Sequence, residues 1–215
     1  MLSARGVSKS YKKRLVLSNI DFAIEAGESA VIVGRNGAGK STMLSIFAGF
    51  LRPDAGVVTL NGAYAAFCPQ DDRLFEELTV ADNLKFWASM TGGSNAWMHK
   101  LSGILGVDTF TKKRINQLSG GMKKSVAICC ALSGDPSILI LDEPFSGLDI
   151  FHKNALMQAF GKLRTAGKSI IFSSHSLDEI VALDSKIHTL ANGQLSEFAP
   201  KALEMGMMSD LLERI

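Results

Sequence analysis

A nine-residue segment in the first quarter of the chain limits the possible fold more than any other feature. Residues 34 to 42 read Gly-Arg-Asn-Gly-Ala-Gly-Lys-Ser-Thr, which matches the pattern of a glycine, four residues and then Gly-Lys-Ser/Thr. The run Ser29–Val33 before it is short, apolar and partly β-branched, as expected of a buried parallel strand. The run Met43–Ala48 after it predicts a helix that is ended by Gly49 and Pro53. Strand, glycine-rich loop and helix in this order predict a phosphate-binding loop in an α/β protein.

The residue types of this loop suit a triphosphate. Glycines let successive backbone N–H groups point at an anion, and the N-terminus of the following helix adds unpaired donors. Lys40 can reach the β- and γ-phosphates, and the Ser41 hydroxyl can hold Mg²⁺. A glycine-rich turn without a ligand is the alternative. It is disfavoured because the full pattern and both flanking elements are present.

Composition and net charge limit the number of domains and the kinds of partner that the chain is expected to have. The 215 residues are 47% hydrophobic, which is enough for one large domain or a domain with a subdomain. The net charge of +2 gives no strong electrostatic footprint for nucleic acid. The short basic runs at residues 12–14 and 112–114 are typical of solvated loops, with anionic lipid or a partner as the minority interpretation.

Targeting signals and cysteines set expectations for the compartment. We find no signal-peptide pattern and no apolar run of the about 18 residues that a membrane span needs. The protein is therefore expected to be soluble or peripheral. The cysteines number three, and two of them are adjacent in an apolar stretch. They predict buried thiols in a reducing compartment and not a disulfide framework.

Polar residues follow two further predicted strands at the edge of the sheet that carries the loop. Ile138–Leu141 predicts a buried strand that ends at Asp142 and Glu143, and Ser169–Phe172 predicts another that leads to His175. Ligands of open α/β sheets bind at the carboxyl ends of strands. Asp142 there suits Mg²⁺, and Glu143 suits the orientation or deprotonation of a water molecule. The alternative is solvated carboxylates and a structural histidine, which the nearby phosphate loop disfavours.

The N-terminal part of the chain predicts mainly β structure. Apolar runs favour strands at residues 7–17 and 20–24, and Tyr11 lies in a polar neighbourhood. A tyrosine in that setting can stack on an adenine ring, although packing on a surface is the commoner role. The runs 57–60 and 63–68 are joined by an Asn-Gly dipeptide and predict a β-hairpin.

Residues 71–117 interrupt this pattern and predict a helical insertion. Thr79 and Ser94 open two helices, in which apolar residues recur at helical spacing. A third helix is predicted after the segment Leu118–Met122, whose two glycines again leave a helix N-terminus open to an anion. The last part of the chain predicts a turn at 146–149 followed by a helix, a capping box between Ser176 and Glu179, a hairpin over 187–198 and a terminal helix over 200–215.

In chain order these elements are Tyr11, the loop at 34–42, Gln70, Leu-Ser-Gly-Gly-Met at 118–122, Ile-Leu-Asp-Glu-Pro at 140–144, Ser-Gly-Leu-Asp at 146–149 and His175. The set resembles the ATP-binding-cassette (ABC) ATPases, specifically the nucleotide-binding subunits of their transporters. The resemblance covers almost the whole chain. Leu-Ser-Gly-Gly is close to diagnostic once a phosphate loop precedes it and Asp-Glu follows it.

The resemblance implies a fold. The expected class is α/β, a P-loop NTPase fold with a mostly parallel central sheet, an N-terminal antiparallel β subdomain and an inserted helical subdomain. Residues 1–215 would form a single ABC ATPase domain. Within it, 1–70 and 118–215 would form the ATP-binding core, and 71–117 would form the helical subdomain.

The resemblance also implies roles for individual residues. Tyr11 would stack on adenine, Gln70 would touch Mg²⁺ or the attacking water, and His175 would contact the γ-phosphate. Asp142 would serve the metal together with Ser41, and Glu143 would serve the water. Ser119, Gly120 and Gly121 would close over ATP held by a second subunit, and Asp149 would bridge the two subunits. The loop residues that would hold ATP are Gly34, Arg35, Asn36, Gly37, Ala38, Gly39, Lys40, Ser41 and Thr42.

The implied partners are integral membrane permease subunits and a second nucleotide-binding subunit, in a homodimer or heterodimer, without nucleic acid. The implied location is the cytoplasmic face of the cell membrane, as a peripheral subunit. The run at 74–84 looks most like bacterial exporter-type subunits, while Ser125 and Ile150 depart from common family patterns. A soluble cassette ATPase acting on ribosomes or DNA is one alternative, and a nucleotide-binding regulator without hydrolysis is another. The first is disfavoured because the chain has no second cassette, coiled coil or zinc insert, and the second because Glu143 is retained.

Overall fold

The computed structural model describes residues 1–174, Glu179 and residues 185–198. These residues form a three-stranded sheet and a six-stranded sheet with helices packed between and around them. The predicted terminal helix at 200–215 and most of the predicted capping box at 176–179 lie outside the described residues.

The small sheet is antiparallel throughout. Its strands are β1 (Leu2–Tyr11), β2 (Arg14–Ile24) and β4 (Ala55–Leu60), in the order β2-β1-β4. The predicted strand over residues 7–17 is wrong, because the chain reverses within it and Tyr11 pairs with Arg14. Lys12 adopts a left-handed conformation with φ of 56° at this reversal. Residues 7–17 thus belong to two antiparallel strands and not to one.

The large sheet is parallel except for its last strand. It contains β3 (Ser29–Val33), β5 (Ala65–Cys68), β6 (Ile138–Leu141), β7 (Ser169–Ser174), β8 (Lys186–Ala191) and β9 (Gln194–Phe198). The order is β5-β6-β7-β3-β8-β9, with β9 antiparallel to β8. A mostly parallel sheet beside an antiparallel one is the architecture that the sequence predicted.

The predicted hairpin over residues 57–68 is also wrong. β4 pairs with β1 in the small sheet, whereas β5 pairs in parallel with β6 in the large sheet. The Asn-Gly segment does turn the chain, and Gly62 has a positive φ of 64°. It carries the chain from one sheet to the other, because each strand is paired by a distant segment and not by its neighbour.

Two of the helices begin at the caps that the sequence predicts, Thr79 and Ser94. The helices are α1 (Lys40–Phe47), α2 (Val80–Thr91), α3 (Asn95–Ile104), α4 (Gly120–Ala131) and α5 (Ile150–Thr165), with short 3₁₀ turns at Val107–Phe110 and Ile115–Gln117. The side chains of Thr79, Ser94, Ser119 and Asp149 accept backbone hydrogen bonds at the starts of α2 to α5. The helices α2 and α3 lie between β5 and α4 in the chain, as the predicted insertion requires.

The central strands β3, β6 and β7 of the six-stranded sheet are buried on both faces. Successive strand residues point to opposite faces, so alternate residues of these strands enter two separate clusters. The face against α4 and α5 holds Val31, Val33, Leu139, Leu141, Ile170 and Phe172. The face against α1 and the small sheet holds Ala30, Ile32, Ile138, Ile140 and Ile171. Burial on two sides explains the uninterrupted apolar runs, and the polar residues that follow them gather at one edge of the sheet.

Candidate active site

The loop between β3 and α1 leaves the start of α1 open to an anion. Its N-cap is Gly39, which has a φ of 109° and offers no capping side chain, and no acidic residue occupies the first turn. A Cβ at Gly39 would lie 2.9 Å from Val16 Cγ1, so a glycine is required by space as well as by conformation. The first N–H groups of α1 and the positive end of its dipole therefore remain available to a ligand.

Lys40 is fixed across the mouth of this loop. Its side chain is 5% exposed, and Nζ donates to the carbonyl oxygens of Gly34 at 2.7 Å and Arg35 at 3.4 Å. Nζ also lies 3.6 Å from Oε1 of Glu143. The ammonium group thus lies between the loop backbone and a carboxylate that follows β6.

Two carboxylates follow β6 at this edge. Asp142 is 5% exposed, and its backbone N–H donates to Cys68 at the end of β5. Glu143 is partly buried and has a positive φ of 45°, a backbone conformation that costs about 1–3 kcal/mol for a residue other than glycine. Such strain persists only where neighbouring contacts hold it. Here the Glu143 N–H donates to Ser173 Oγ at 2.8 Å, and that hydroxyl donates to Asp142 Oδ1 at 2.7 Å.

A cleft of about 400 Å³ joins these parts. Half of the predicted site residues line it, namely Tyr11, Asn36, Gly37, Gly39, Lys40, Ser41, Thr42, Gln70 and Glu143. Arg35 and Ala38 line an adjacent cavity of about 660 Å³. The cleft is large enough for part of a nucleotide, and it opens directly on the start of α1.

Sequence reasoning missed several residues of this region. Arg14 and Val16, at the start of β2, line the cleft beside Tyr11. Lys124, buried on α4, donates to the carbonyl oxygen of Gln70 at 2.9 Å and lies 2.6 Å from Asp72. No spacing pattern marks these contacts, because each depends on the pairing of distant segments.

The lining of the cleft does not include Gly34, Arg35, Ala38 or Asp142, which belong to the loop and to the edge of the sheet, and it does not include the predicted residues at the starts of α4 and α5. Ser119 is the exposed N-cap of α4, and Gly120 and Gly121 form its first turn; the sequence had placed the two glycines before the helix. Asp149 caps α5, and its Oδ2 lies 2.7 Å from His152 Nδ1. Hydrogen bonds from the backbone and the side chain of His152 lower the pKa of Asp149. His175 lies outside the described residues.

The starts of α4 and α5 contact each other. A Cβ placed at Gly121 would lie 2.3 Å from ring atoms of His152. The Ser-Gly-Gly segment and the Asp149 segment therefore form one small surface region. It is separate from the cleft that contains the phosphate loop.

Comparisons with known proteins agree with this arrangement. A family model described as ABC transporter matches residues 17–146. A second model, described as AAA domain, putative AbiEii toxin, Type IV TA system, matches residues 112–182. A solved structure titled as the ATP-binding subunit of an ABC transporter superposes with a TM-score of 0.87 at 27% identity, over 100% of this chain and 99% of that one.

Curated relatives include proteins named for transport in either direction. The linearmycin resistance ATP-binding protein of Bacillus subtilis is 30% identical over all of this chain. The molybdate/tungstate import ATP-binding protein of Thermococcus kodakarensis is 33% identical over 93% of the chain. The Nod factor export ATP-binding protein of Mesorhizobium japonicum is 32% identical over 92% of it. The chain spans 72%, 65% and 63% of the lengths of these three proteins, respectively.

The family model covers more than half of the chain, and the match extends over the loop, the helical insertion and the two carboxylates that follow β6. The solved structure extends the similarity to the whole fold. The chain therefore belongs to the ABC transporter family, as one of its ATP-binding domains, and is an ATPase.

Proposed function

We propose that this chain binds Mg·ATP in the 400 Å³ cleft and hydrolyses it to power the movement of a substrate through separate membrane subunits. One observation carries the proposal. The cleft brings the open start of α1, the buried Lys40 ammonium and the Glu143 carboxylate to one edge of a parallel sheet. These are the donors and the base that phosphoryl transfer to water needs.

The residues around the cleft suit Mg²⁺. The Ser41 hydroxyl, the Gln70 amide and the Asp142 carboxylate offer hard oxygen ligands, which this ion prefers. When bound, Mg²⁺ would neutralise charge on the β- and γ-phosphates. Glu143 would orient the attacking water, Lys40 would hold the phosphates, and Tyr11 would stack on adenine. For His175 the contact with the γ-phosphate rests on the family resemblance.

Lys40→Ala tests this assignment. Loss of a preorganised charged donor at such a site costs about 3 kcal/mol or more, so ATPase activity should fall at least about a hundredfold. The matched control is Lys9→Ala, which removes a lysine paired with Asp54 in the small sheet. Near-normal hydrolysis by purified Lys40→Ala protein would contradict the proposed role of the loop.

The membrane partner is proposed to dock on a second groove, of about 470 Å³, between the core and the insertion. Phe50 and Phe67 line it from the core, and Arg73 and Trp87 line it from the insertion. Among the described residues, buried Trp87 Nε1 has no hydrogen-bond acceptor. The groove is largely apolar and extends to Pro69, which precedes Gln70 in the chain. An apolar occupant that supplies a hydrogen-bond acceptor would therefore pair with Trp87 Nε1 and contact the segment that leads to the ATP cleft.

Crosslinking tests this docking surface. A cysteine at Phe86, which is 41% exposed on α2, should crosslink to the permease in native membranes, in a background without Cys68, Cys129 and Cys130. A cysteine at Phe151 on α5 is the control, since that side chain is 81% exposed. If only the cysteine at Phe151 crosslinked, the permease would dock near α5 and the proposed groove would be wrong. Recovery of ribosomes or DNA in place of a membrane protein would favour the soluble alternative.

Export is proposed as the direction of transport, on the resemblance of residues 74–84 to exporter-type subunits. The relatives named above include both import and export proteins. The described residues contain no helix with the length and apolar character of a membrane span. We propose that the chain works at the cytoplasmic face of the membrane, with permease subunits supplying the path. If transport is export, cells that carry Lys40→Ala should contain more of the transported compound than wild-type cells, because ATP no longer drives its removal.

A further inference from the structure

Ser173 is a buried hydroxyl that the functions proposed above leave unused. It lies near the end of β7 and is 0% exposed. Its Oγ is 2.8 Å from the backbone nitrogen of Glu143 and 2.7 Å from Oδ1 of Asp142. One side chain thus contacts both residues that follow β6.

The chemistry of a hydroxyl fixes the direction of both hydrogen bonds. A backbone N–H can only donate, so Ser173 Oγ accepts from Glu143. The single hydroxyl proton is then left for Asp142, whose carboxylate accepts it. One carboxylate oxygen of Asp142 is oriented in this way, and the rotation of the group is restrained.

The backbone around Glu143 explains why a side chain is needed there. The pairing between β6 and β7 ends at Leu141 and Phe172, so the Glu143 N–H lies beyond the last pair of the ladder. Glu143 also has a left-handed backbone with φ of 45°. Ser173 satisfies this N–H in a buried place, where an unpaired donor is costly.

We propose that Ser173 is a positioning residue of the ATPase site, which holds the metal-facing carboxylate of Asp142 and the backbone of Glu143 in one arrangement. The proposal rests on the function proposed above. Asp142 would keep its oxygen directed at Mg²⁺, while Glu143 would keep its carboxylate directed at water. A shared hydroxyl keeps the spacing between the two groups constant.

Two substitutions separate hydrogen bonding from packing. Ser173→Ala removes the hydroxyl and leaves a small space. Ser173→Cys fills the space with a group that donates and accepts only weakly. The matched control is Ser169→Ala on the same strand, because buried Ser169 accepts from Gly27 and donates to Glu25 at the opposite end of β7. This control variant also loses a hydroxyl that joins two backbone groups, but at a place away from the cleft.

The full chain is assayed for ATPase kinetics, for ATP binding without metal, and for Mn²⁺ binding in the presence of ADP by electron paramagnetic resonance. Residues that orient metal ligands typically contribute 10- to 100-fold in affinity or activity. Ser173→Ala and Ser173→Cys should therefore each lower kcat by about 10- to 100-fold and weaken Mn²⁺ binding about tenfold. Metal-free ATP binding should stay near the wild-type value, because the phosphate loop is unchanged.

Three outcomes would overturn the proposal. Ser173→Ala could keep wild-type kcat and Mn²⁺ affinity. Ser173→Cys could restore both, which would make packing the cause. Ser169→Ala could reproduce the losses, which would make them a general effect of weakening β7. A failure of the proposed function is recognised separately, because the wild-type chain would then show no ATP binding in the cleft.

Discussion

His188 is a buried imidazole in β8, on the side of the large sheet that faces the small one. It is 7% exposed and meets Phe22 of β2 edge-on, with ring centroids 5.0 Å apart. Burial lowers the pKa of His188, and Lys186 lowers it further, while Glu197 on β9 acts in the opposite direction. Among the described residues, Nε2 has no hydrogen-bond partner. The folded chain therefore favours the neutral ring.

This arrangement predicts a pH dependence of stability. In the unfolded chain the pKa of a histidine is about 6.5, so below that pH the unfolded state binds more protons than the folded one. The contribution of His188 is then present above pH of about 6.5 and is lost as the pH falls toward its lowered folded pKa. Urea unfolding of the wild type should weaken more steeply from pH 7 to 5 than that of His188→Phe. All other titrating groups are common to both proteins, so equal slopes would contradict this account.

At the level of single residues, the sequence predicted groups whose role is set by local spacing. Lys40 follows from the loop pattern, and Glu143 follows from its position after an apolar strand. Both lie at the cleft. Ser173, Arg14 and Lys124 could not be found in this way. Their contacts depend on which strands and helices become neighbours, and one serine or lysine in the sequence looks like many others.

At the level of secondary-structure elements, the sequence likewise does not predict which segments become neighbours. Two Asn-Gly turns illustrate this. Asn192-Gly193 joins β8 and β9 as a two-residue hairpin, with positive φ of 51° and 77°. The Asn-Gly dipeptide at 61–62 was predicted to do the same, but its flanking strands enter different sheets. A turn signal predicts where the chain bends. The partner of each strand is decided by burial against distant segments.

The contact between α4 and α5 gives a test at this scale. Alanine at Gly121 would place its Cβ 2.3 Å from the His152 ring and 2.7 Å from His152 Cβ. Overpacking of this kind typically costs about 1–3 kcal/mol, against a helix-propensity gain of about 1 kcal/mol. Gly121→Ala should therefore lower the free energy of unfolding, measured in urea. Adding His152→Ala should recover part of the loss, because the ring contacts disappear and the Cβ contact remains.

Gly120→Ala is the control for this cycle. It lies in the same helical turn, but a Cβ there meets nothing within 4 Å. The substitution should be neutral or stabilise the chain by up to about 1 kcal/mol. If Gly121→Ala behaved like Gly120→Ala, the close packing of the two helix starts would be wrong.

At the scale of the whole molecule, the two anion-receptive helix starts lie in different regions. The start of α1 opens into the 400 Å³ cleft proposed to bind ATP, whose lining among the described residues does not include Ser119, Gly120, Gly121 or Asp149. The start of α4 instead contacts the start of α5 and is exposed at Ser119. A second copy of the chain, or a related subunit, related by a two-fold axis would bring each Ser119 over the ATP of its partner. We propose this head-to-tail dimer as the working unit, with closure driven by the γ-phosphate.

Glu143→Gln tests the shared site in the intact chain. The substitution keeps the shape of the side chain but removes the carboxylate that would handle water, so ATP should bind normally and be hydrolysed slowly. The protein should then accumulate as a dimer in ATP without Mg²⁺, and remain monomeric in ADP or without nucleotide, as read by size-exclusion chromatography with light scattering. Adding Ser119→Arg should abolish the dimer and leave ATP binding intact.

Adding Ser94→Arg is the matched control, since Ser94 is also an exposed N-cap serine, at the start of α3. Either substitution removes a helix-cap contribution of about 1 kcal/mol. A dimer that is lost with Ser119→Arg but kept with Ser94→Arg would therefore depend on a contact that only Ser119 makes. A Glu143→Gln protein that stays monomeric with ATP at high concentration, even beside its membrane partner, would exclude the shared-site mechanism.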